Sequence, residues 1–309
     1  MPSRPTMEFG YNPPTGVRGL ENIRPREYIS DLHRALDVAS QSFGSLWISD
    51  HINYADEFRM ECWTLLSWIA ARYPGPKLST IVMSNTFRSP ALLAKMGASL
   101  QHLSSGRFIL GYGGGWHEGE HRAFGYDYPS PRTRIDMMEE GVQVIKKLWT
   151  ESPASFDGKF YNVDGAHCEP LPDPVPPIMI GGAGEKRTLK VVARHADWWN
   201  DLSRPLDQSR HKLEVLKQHC ETEGRDYGSI RKTFTARFFI DRSDTKAREQ
   251  AGEWLTAEQP AIVGDPASVR DQLAQLAELG FDLCIAVFPQ FQELADMRLF
   301  ADEVIPEFA

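Results

Sequence analysis

The stretch Pro176–Asn200, PPIMIGGAGEKRTLKVVARHADWWN, decides the fold. It begins with a short apolar run, Ile178 to Ile180, which predicts a buried strand. A glycine-rich turn follows, then an amphipathic helix from Lys186 to His195 and a second short strand from Asp197 to Asn200. A strand, a helix and a further strand in this order form a βαβ unit, which is the building block of a parallel sheet.

The same alternation extends along almost the whole chain. Apolar runs predict eight strands, at Met7–Tyr11, Ser45–Ser49, Leu78–Met83, Phe108–Gly113, Ile178–Ile180, Asp197–Asn200, Phe234–Ile240 and Asp282–Phe288. Amphipathic stretches predict the helices, at Pro25–Gln41, Glu61–Ala71, Pro90–Leu103, Arg132–Trp149, Lys186–His195, Leu206–Glu223, Ala267–Leu279 and Gln292–Val304. We therefore predict an α/β protein in which residues 1–309 form a single (β/α)8 TIM barrel. Irregular stretches predict two insertions. One follows the fourth predicted strand (Phe108–Gly113), and the other lies between the fourth predicted helix (Arg132–Trp149) and the fifth predicted strand (Ile178–Ile180).

A doubly wound open sheet is the alternative architecture, because it has the same order of elements. Its dinucleotide-binding glycine pattern would follow the first strand. This chain has Asn12-Pro13-Pro14-Thr15-Gly16 at that point, with two prolines and the glycine misplaced. The sequence therefore favours the barrel.

The composition argues against several classes of function. The formal net charge is −8 and no concentrated basic face is apparent, so no nucleic-acid partner is expected. No run approaches the roughly 20 apolar residues of a membrane span, and Met1–Gly10 lacks the apolar stretch of a signal peptide, so we expect a cytoplasmic protein. Cys62, Cys168, Cys220 and Cys284 are widely spaced, which predicts buried free thiols.

One strand end carries groups that could transfer a proton. In a TIM barrel the functional residues lie at the carboxyl ends of the strands. The second strand ends in Ser49-Asp50-His51, which places a carboxylate next to an imidazole that titrates near neutral pH. A capping aspartate beside a surface histidine is the structural alternative.

Glycines follow two further strands. The fourth strand ends in Gly111-Tyr112-Gly113-Gly114-Gly115-Trp116-His117, and the fifth runs into Gly181-Gly182-Ala183-Gly184 before a helix. Glycines let the backbone approach a planar ligand closely, and free N–H groups at a helix N-terminus bind phosphate well. Trp198 and Trp199 could add indole surface for a ring system, with core packing as the alternative for at least one. The sequence predicts a phosphorylated cofactor, unless these glycines form simple turns.

The same region also matches a motif of zinc proteases, which gives an alternative hypothesis. His117-Glu118-Gly119-Glu120-His121 matches HExxH, in which two histidines bind the metal and the first glutamate acts as a base. That motif requires a regular helix, whereas here three glycines precede it, Gly119 interrupts it and Gly125 follows it. We expect an irregular loop with no metal, and a metallohydrolase stays a remote alternative.

Several strings have the pattern of one enzyme family. They are Leu92-Leu93-Ala94-Lys95, Ser104-Ser105-Gly106-Arg107-Phe108-Ile109-Leu110-Gly111, Ala123-Phe124-Gly125, Arg134, Leu148-Trp149-Thr150, Pro176–Gly182, Ala193-Arg194-His195-Ala196-Asp197, Gly264-Asp265-Pro266 and Gly280-Phe281-Asp282. With these strings the chain resembles the luciferase-like monooxygenase superfamily over nearly its whole length.

Within that superfamily, Ser49-Asp50-His51 resembles the branch that uses the deazaflavin coenzyme F420. The resemblance implies that His51 is catalytic and that a non-proline cis peptide lies near Ile81 and Val82. It implies a cofactor site made of Asp50, Ile81, Val82, Met83, Tyr112, Gly113, His117, Gly182, Ala183 and Gly184. Flavin mononucleotide (FMN) is the alternative cofactor. A homodimer is also expected from the resemblance.

One departure narrows the expected chemistry. The similar F420-dependent glucose-6-phosphate dehydrogenases have a glutamate directly after the GxG of strand 4, where this chain has Gly114. We therefore expect a two-electron oxidoreductase that transfers hydride to or from another small, apolar substrate, with His51 handling a proton. F420 implies dehydrogenase or reductase chemistry, whereas FMN would permit monooxygenation. A ligand-binding barrel without turnover is the other class of function.

Overall fold

The computed structural model describes residues 6–18, 25–53, 57–256 and 258–308, so Met1–Pro5 of the N-terminal stretch lie outside the described residues. The strands are β1 (Glu8–Tyr11), β2 (Gly16–Arg18), β3 (Ser45–Ile48), β4 (Glu57–Arg59), β5 (Lys77–Thr80), β6 (Met83–Ser84), β7 (Phe108–Gly113), β8 (Ala154–Asp157), β9 (Asn162–Ala166), β10 (Ile178–Gly181), β11 (Trp198–Leu202), β12 (Arg231–Ile240), β13 (Ile262–Gly264) and β14 (Leu283–Val287). The α-helices are α1 (Pro25–Ser42), α2 (Cys62–Arg72), α3 (Pro90–Leu103), α4 (Glu118–Ala123), α5 (Pro131–Thr150), α6 (Thr188–His195), α7 (Leu206–Glu223), α8 (Asp244–Ala251), α9 (Pro266–Glu278) and α10 (Ala295–Glu303).

Eight of these strands close into a parallel barrel. Their order is β1, β3, β5, β7, β10, β11, β12 and β14, and β14 pairs again with β1, where Phe9 lies opposite Cys284. Closure satisfies the backbone hydrogen bonds on both sides of every strand and leaves no free sheet edge. Every predicted strand belongs to this barrel, so the predicted (β/α)8 fold is confirmed.

The barrel interior is a packed core rather than a pore. Because side chains alternate between the two faces of a strand, Leu46 and Ile48 pack under the helices while Trp47 points inward. Trp47 packs there with Ile109 and Met179, and its indole N–H donates to the Ser45 hydroxyl at 2.8 Å. Space for a ligand is therefore left at the ends of the strands.

The third barrel strand is interrupted at the point that shapes this space. Pairing of β5 ends at Thr80, β6 resumes at Met83, and the Ile81–Val82 peptide between them is cis, as expected. A Cβ added at Gly113 would lie 2.5 Å from Val82 Cγ2, and one added at Gly181 would lie 2.9 Å from Val82 Cγ1. The glycines at the ends of β7 and β10 are therefore required by the packing of Val82.

The two predicted insertions are present, and the structure adds a third. The insertion before β10 contains the hairpin β8–β9, which is anchored to α5 because Glu140 accepts a hydrogen bond from the Phe160 amide at 2.8 Å. Residues 241–265, after β12, contain α8 and β13, and β13 extends the pairing of β12 with Val263 opposite Phe239. The sequence did not predict this insertion, because α8 is polar and nearly devoid of an apolar face.

Two expectations from composition can be compared with the structure. All four cysteines are buried and unpaired, as predicted. Within the described ranges, no helix is long and apolar enough to cross a membrane.

We predict that Gly111→Ala destabilises the barrel, because the new Cβ would lie 1.8 Å from the Thr80 carbonyl oxygen. Backbone cannot move aside as a flexible side chain can, so the expected loss is about 1–3 kcal/mol or more of unfolding free energy. Urea denaturation followed by circular dichroism measures it. Gly44→Ala is the matched control, because its Cβ would meet nothing nearer than the Phe9 carbonyl oxygen at 3.8 Å. Equal stability of the two variants would contradict the prediction.

Candidate active site

Two adjoining cavities lie at the carboxyl ends of the barrel strands. The smaller one, about 370 Å³, extends from Asp50 and His51 past Ile81 and Val82 to Gly181–Gly184, and we call it the glycine cavity. The larger one, about 1140 Å³, contains Arg59 and Arg237 in its lining, and we call it the arginine cavity. Four residues line both cavities, namely His51, Ile81, Trp116 and Leu202. A group bound in one cavity could therefore contact a group bound in the other.

The structure brings most of the predicted site residues together. The glycine cavity is lined by eight of them: Asp50, His51, Ile81, Val82, Gly113, Gly182, Ala183 and Gly184. His117 lines the arginine cavity instead. The side chains of Met83 and Tyr112 are buried away from both cavities: Met83 Sδ lies 3.8 Å from Cys62 Sγ, and the Tyr112 ring packs beside Gly141 of α5.

His51 forms an ion-pair-type contact that the sequence did not predict. Its Nδ1 lies 2.9 Å from Glu120 Oε1, and the other carboxylate oxygen of Glu120 accepts from the Ile52 amide at 2.8 Å. Glu120 lies on α4, in the insertion after strand 4, and its side chain is almost completely buried. A buried carboxylate on one ring nitrogen fixes the orientation and the tautomer of the imidazole.

The charge of Glu120 is maintained by its surroundings. Burial by itself raises its pKa, but the hydrogen bonds from His51 and the Ile52 amide, with the charges of His51 and His117, together hold the pKa below its ordinary value. Glu120 is therefore an anion near neutral pH and stabilises a positive charge on His51.

Asp50 is held beside the same cavity by a cation. Arg88 Nη1 lies 3.1 Å from Asp50 Oδ1 and 2.9 Å from Oδ2, and the Ser84 amide donates to Oδ2 at 2.8 Å. Arg88 also bonds to Glu61, which caps the N-terminus of α2. Burial raises the pKa of Asp50, and the Arg88 charge offsets part of that shift. Asp50 is thus a fixed element of the cavity wall rather than a mobile surface group.

The HExxH string forms a short helix, so the expectation of an irregular loop is wrong. Its first glutamate, Glu118, is exposed and pairs with Arg122 at 2.7 Å. His117 caps α4 by accepting from the Glu120 amide at 3.1 Å, and His121 is buried, with Nδ1 donating to the His117 carbonyl oxygen at 2.7 Å. Among the residues that the structure describes, no cluster of three or more potential metal ligands occurs. The geometry gives the metallohydrolase alternative no support.

Trp116 lies at the border of the two cavities. Its indole is 64% exposed and meets the His51 ring edge to face, with 5.7 Å between the centroids. The loop that carries it is fixed because Tyr128 Oη donates to the Trp116 carbonyl oxygen at 2.7 Å. Trp116 is therefore not a core residue, and its ring lies beside His51 at the border of the two cavities.

The glycine turn after β10 differs in detail from the predicted phosphate site. The helix begins at Thr188 rather than Lys186, and the Gly182 amide donates to the Asn200 carbonyl oxygen at 3.0 Å, so this amide is engaged within the barrel. A Cβ at Gly184 would lie 2.8 Å from Thr188 Oγ1. The missing side chain at Gly184 thus leaves room for a hydroxyl group that lines the cavity, a group that the sequence did not reveal.

The two tryptophans of β11 do not offer their indoles to a ligand. Trp199 is fully buried, and its Nε1 donates to the Gly182 carbonyl oxygen at 2.9 Å, which helps to hold the glycine turn. Trp198 packs with Trp47 and under Arg231, at the opposite end of the barrel. The core-packing alternative therefore holds for both residues.

Comparisons with known proteins agree with this architecture. Residues 7–262 match the family model described as luciferase-like monooxygenase. The chain belongs to this family. One relative, an F420-dependent glucose-6-phosphate dehydrogenase of Kineococcus radiotolerans, is 33% identical over 254 residues, which are 79% of this chain and 74% of the relative.

Two solved structures share the fold over nearly the whole chain. A structure of an F420-dependent secondary alcohol dehydrogenase in complex with an F420-acetone adduct has a TM-score of 0.81 at 19% identity and covers 98% of this chain and 99% of that one. Monooxygenase RslO1 from Streptomyces bottropensis has a TM-score of 0.84 at 22% identity, with 98% and 100% covered. At these identities the similarity shows the fold alone. With the family membership, the prediction of an oxidoreductase is confirmed.

We predict that Glu120→Gln lowers stability in a pH-dependent way. The fold lowers the pKa of Glu120. The carboxylate therefore makes its full contribution to the free energy of unfolding above the ordinary carboxyl range of about 4, and this contribution is lost as the pH falls through the folded pKa. Urea unfolding at pH 7 should show a loss of about 1–3 kcal/mol, and the difference from the wild type should close below about pH 4. Glu118→Gln, on the exposed side of the same helix, is the control and should change stability by less than about 0.5 kcal/mol. A difference that is constant with pH would contradict this assignment.

Proposed function

We propose that this protein is an F420-dependent oxidoreductase that transfers hydride between the cofactor and a small organic substrate. One observation carries the proposal: the His51–Glu120 pair lies where the glycine cavity and the arginine cavity meet. A cofactor in the glycine cavity and a substrate in the arginine cavity would both lie next to the His51 imidazole, whose proton position is fixed by Glu120.

The glycine cavity suits a phosphorylated ring cofactor. Its floor is the Ile81–Val82 peptide, and its walls are glycines at the ends of β7 and β10, where an added Cβ would collide with Val82. The phosphate would be held at the other end, by the backbone of Ala183 and Gly184 and by the Thr188 hydroxyl. When bound, a deazaflavin or flavin ring supplies or accepts two electrons as a hydride.

His51 would handle the proton that accompanies the hydride. Since Nδ1 is engaged by Glu120, proton exchange with a substrate falls to Nε2. When an alcohol loses hydride from carbon, the hydroxyl proton passes to His51 Nε2, and the buried Glu120 carboxylate stabilises the imidazolium that results. In the reverse direction His51 returns the proton to the carbonyl oxygen.

The choice of F420 over FMN rests on similarity and on one local feature. The relative at 33% identity is named as an F420-dependent enzyme, and the Asp50-His51 pair follows the pattern of that branch. The fold neighbours include both F420-dependent enzymes and monooxygenases, so the fold favours neither cofactor. FMN-dependent monooxygenation remains the second function.

Titration of the purified protein with each cofactor tests this choice. We expect F420 to bind with a Kd in the micromolar range or below, and FMN to bind at least about tenfold more weakly. Fluorescence quenching of the cofactor measures both affinities. Micromolar binding of FMN without binding of F420 would overturn the proposal in favour of the monooxygenase.

The sugar-phosphate reaction of the relative is not proposed for this chain. A Cβ at Gly114 would lie 2.7 Å from Ile135 Cδ1 of α5, so the position cannot take a glutamate unless Ile135 moves. The carboxylate beside His51 comes instead from Glu120, six residues further along the chain. The surroundings of the reacting atoms therefore differ from those expected in that enzyme.

The role of His51 is tested by His51→Ala. Turnover with the first substrate found in a spectrophotometric screen of F420 reduction should fall by about 10²–10⁴-fold, since this is the usual loss when a general acid or base is removed. The Kd for F420 should change little, because the glycine walls of the cavity remain. Unchanged turnover would remove His51 from the mechanism, and binding of F420 without any turnover would favour a ligand-binding barrel.

Three further expectations remain predictions. They are that residues 1–309 form one domain, that the protein is cytoplasmic and that it is a homodimer. Gel filtration coupled to light scattering decides the last of them.

A further inference from the structure

The arginine cavity differs from the glycine cavity in its charge. The acids that line the glycine cavity are all paired: Asp50 with Arg88, Glu120 with His51, and Asp201 with Arg204 at 2.9 Å. Among the described residues, the lining of the arginine cavity includes two arginines and two histidines but no carboxylate. The described lining of the larger cavity therefore offers cationic side chains and no anionic one.

Arg237 is the clearest source of this charge. Alternate residues of β12 face the barrel axis: Thr233 and Thr235 both donate to Asn200 Oδ1, and Arg237 is the next residue on that face. The Arg237 guanidinium stacks on the Trp254 ring, with 4.0 Å to the centroid. Trp254 belongs to the insertion after β12, so this insertion fixes the arginine at the barrel mouth.

No anion within the described part of the chain balances Arg237. It is half-buried, yet among the described residues no carboxylate lies within 4.0 Å of its guanidinium and no hydrogen bond from its side chain is found. Burial lowers the pKa of Arg237, as expected for a cation that is withdrawn from water without a counter-charge. Such a group costs free energy unless a ligand supplies the missing anion.

The geometry of the stack favours an oxyanion. A guanidinium that rests on an indole through its face still presents its N–H edge, which matches the paired oxygens of a carboxylate or phosphate. Arg59 lines the same cavity, and its Nη1 donates to the Thr15 hydroxyl oxygen at 2.7 Å. His51 lines the same cavity, so a substrate anchored at the arginines adjoins the proposed proton carrier.

We propose that the arginine cavity binds the substrate and selects one that bears a carboxylate or a phosphate monoester, with Arg237 as the main anchor. The inference rests on the proposed function, because it assigns the glycine cavity to the cofactor. It also replaces the expectation of an apolar substrate.

Two matched pairs of probes test the proposal on the purified full-length protein. Benzoate is compared with benzamide, and phenyl phosphate with phenol, by isothermal titration calorimetry. We expect at least one anion to bind about tenfold or more tightly than its neutral partner, and Arg237→Gln to abolish this preference. Binding of benzoate identifies a carboxylate site, and binding of phenyl phosphate alone identifies a phosphate site.

Arg231→Gln is the matched control. Arg231 lies on the same strand and also stacks on a tryptophan, Trp198, but at the opposite end of the barrel and paired with Glu8 at 2.8 Å. This variant should keep the preference for anions. The proposal is overturned if no anion binds more tightly than its neutral partner, or if the preference survives Arg237→Gln.

Titration of the same variants with F420 separates this inference from the proposed function. Arg237→Gln should leave the affinity for F420 within about twofold of the wild type. A large loss of F420 affinity would assign Arg237 to the cofactor and would also overturn the proposal. If the wild type does not bind F420 but still prefers anions, only the proposed cofactor is contradicted.

Discussion

The site depends on the packing of one side chain, that of Val82. Val82 fills the space between the ends of β7 and β10, and this space exists because Gly113 and Gly181 have no Cβ. Val82 lies in the interruption between β5 and β6, where the Ile81–Val82 peptide is cis. The floor of the glycine cavity is therefore built from the barrel wall itself, and its shape cannot change without disturbing three adjacent strands.

Charge is distributed around this floor in two different ways. In the glycine cavity, each acid among the described lining residues is paired with a neighbouring cation or imidazole. Among the described residues, the lining of the arginine cavity holds arginines and histidines but no acid. His51 lines both cavities, and its Nδ1 lies 2.9 Å from the buried Glu120 carboxylate.

The loops and insertions at the mouth supply residues that the barrel strands alone could not. Glu120 and Trp116 come from the insertion after β7, the fourth barrel strand. Trp254 comes from the insertion after β12, the seventh barrel strand. Each of these side chains contacts a residue at or near the end of a barrel strand, His51 in two cases and Arg237 in the third. Part of the chemistry of this site therefore comes from the loops and insertions rather than from the barrel strands.

The sequence by itself determined the eight strands and helices, the glycine-rich strand ends and the Asp50-His51 pair, because these depend on local periodicity and residue type. It also placed the cis peptide, through the resemblance to the family. It missed the insertion after β12. For Trp198 and Trp199 it left both indole surface for a ligand and core packing open, and core packing is what the structure has. The sequence assigned no role to Glu120, the second glutamate of the HExxH string.

Only the tertiary structure decided which distant groups meet. His51 and Glu120 are 69 residues apart, and Asp50 and Arg88 are 38 apart. No local pattern reports such separations, because they follow from how strands close into a barrel and how the insertions fold back over its end. Local spacing fixes the elements, whereas packing fixes the direction of each side chain and therefore the charge of each cavity.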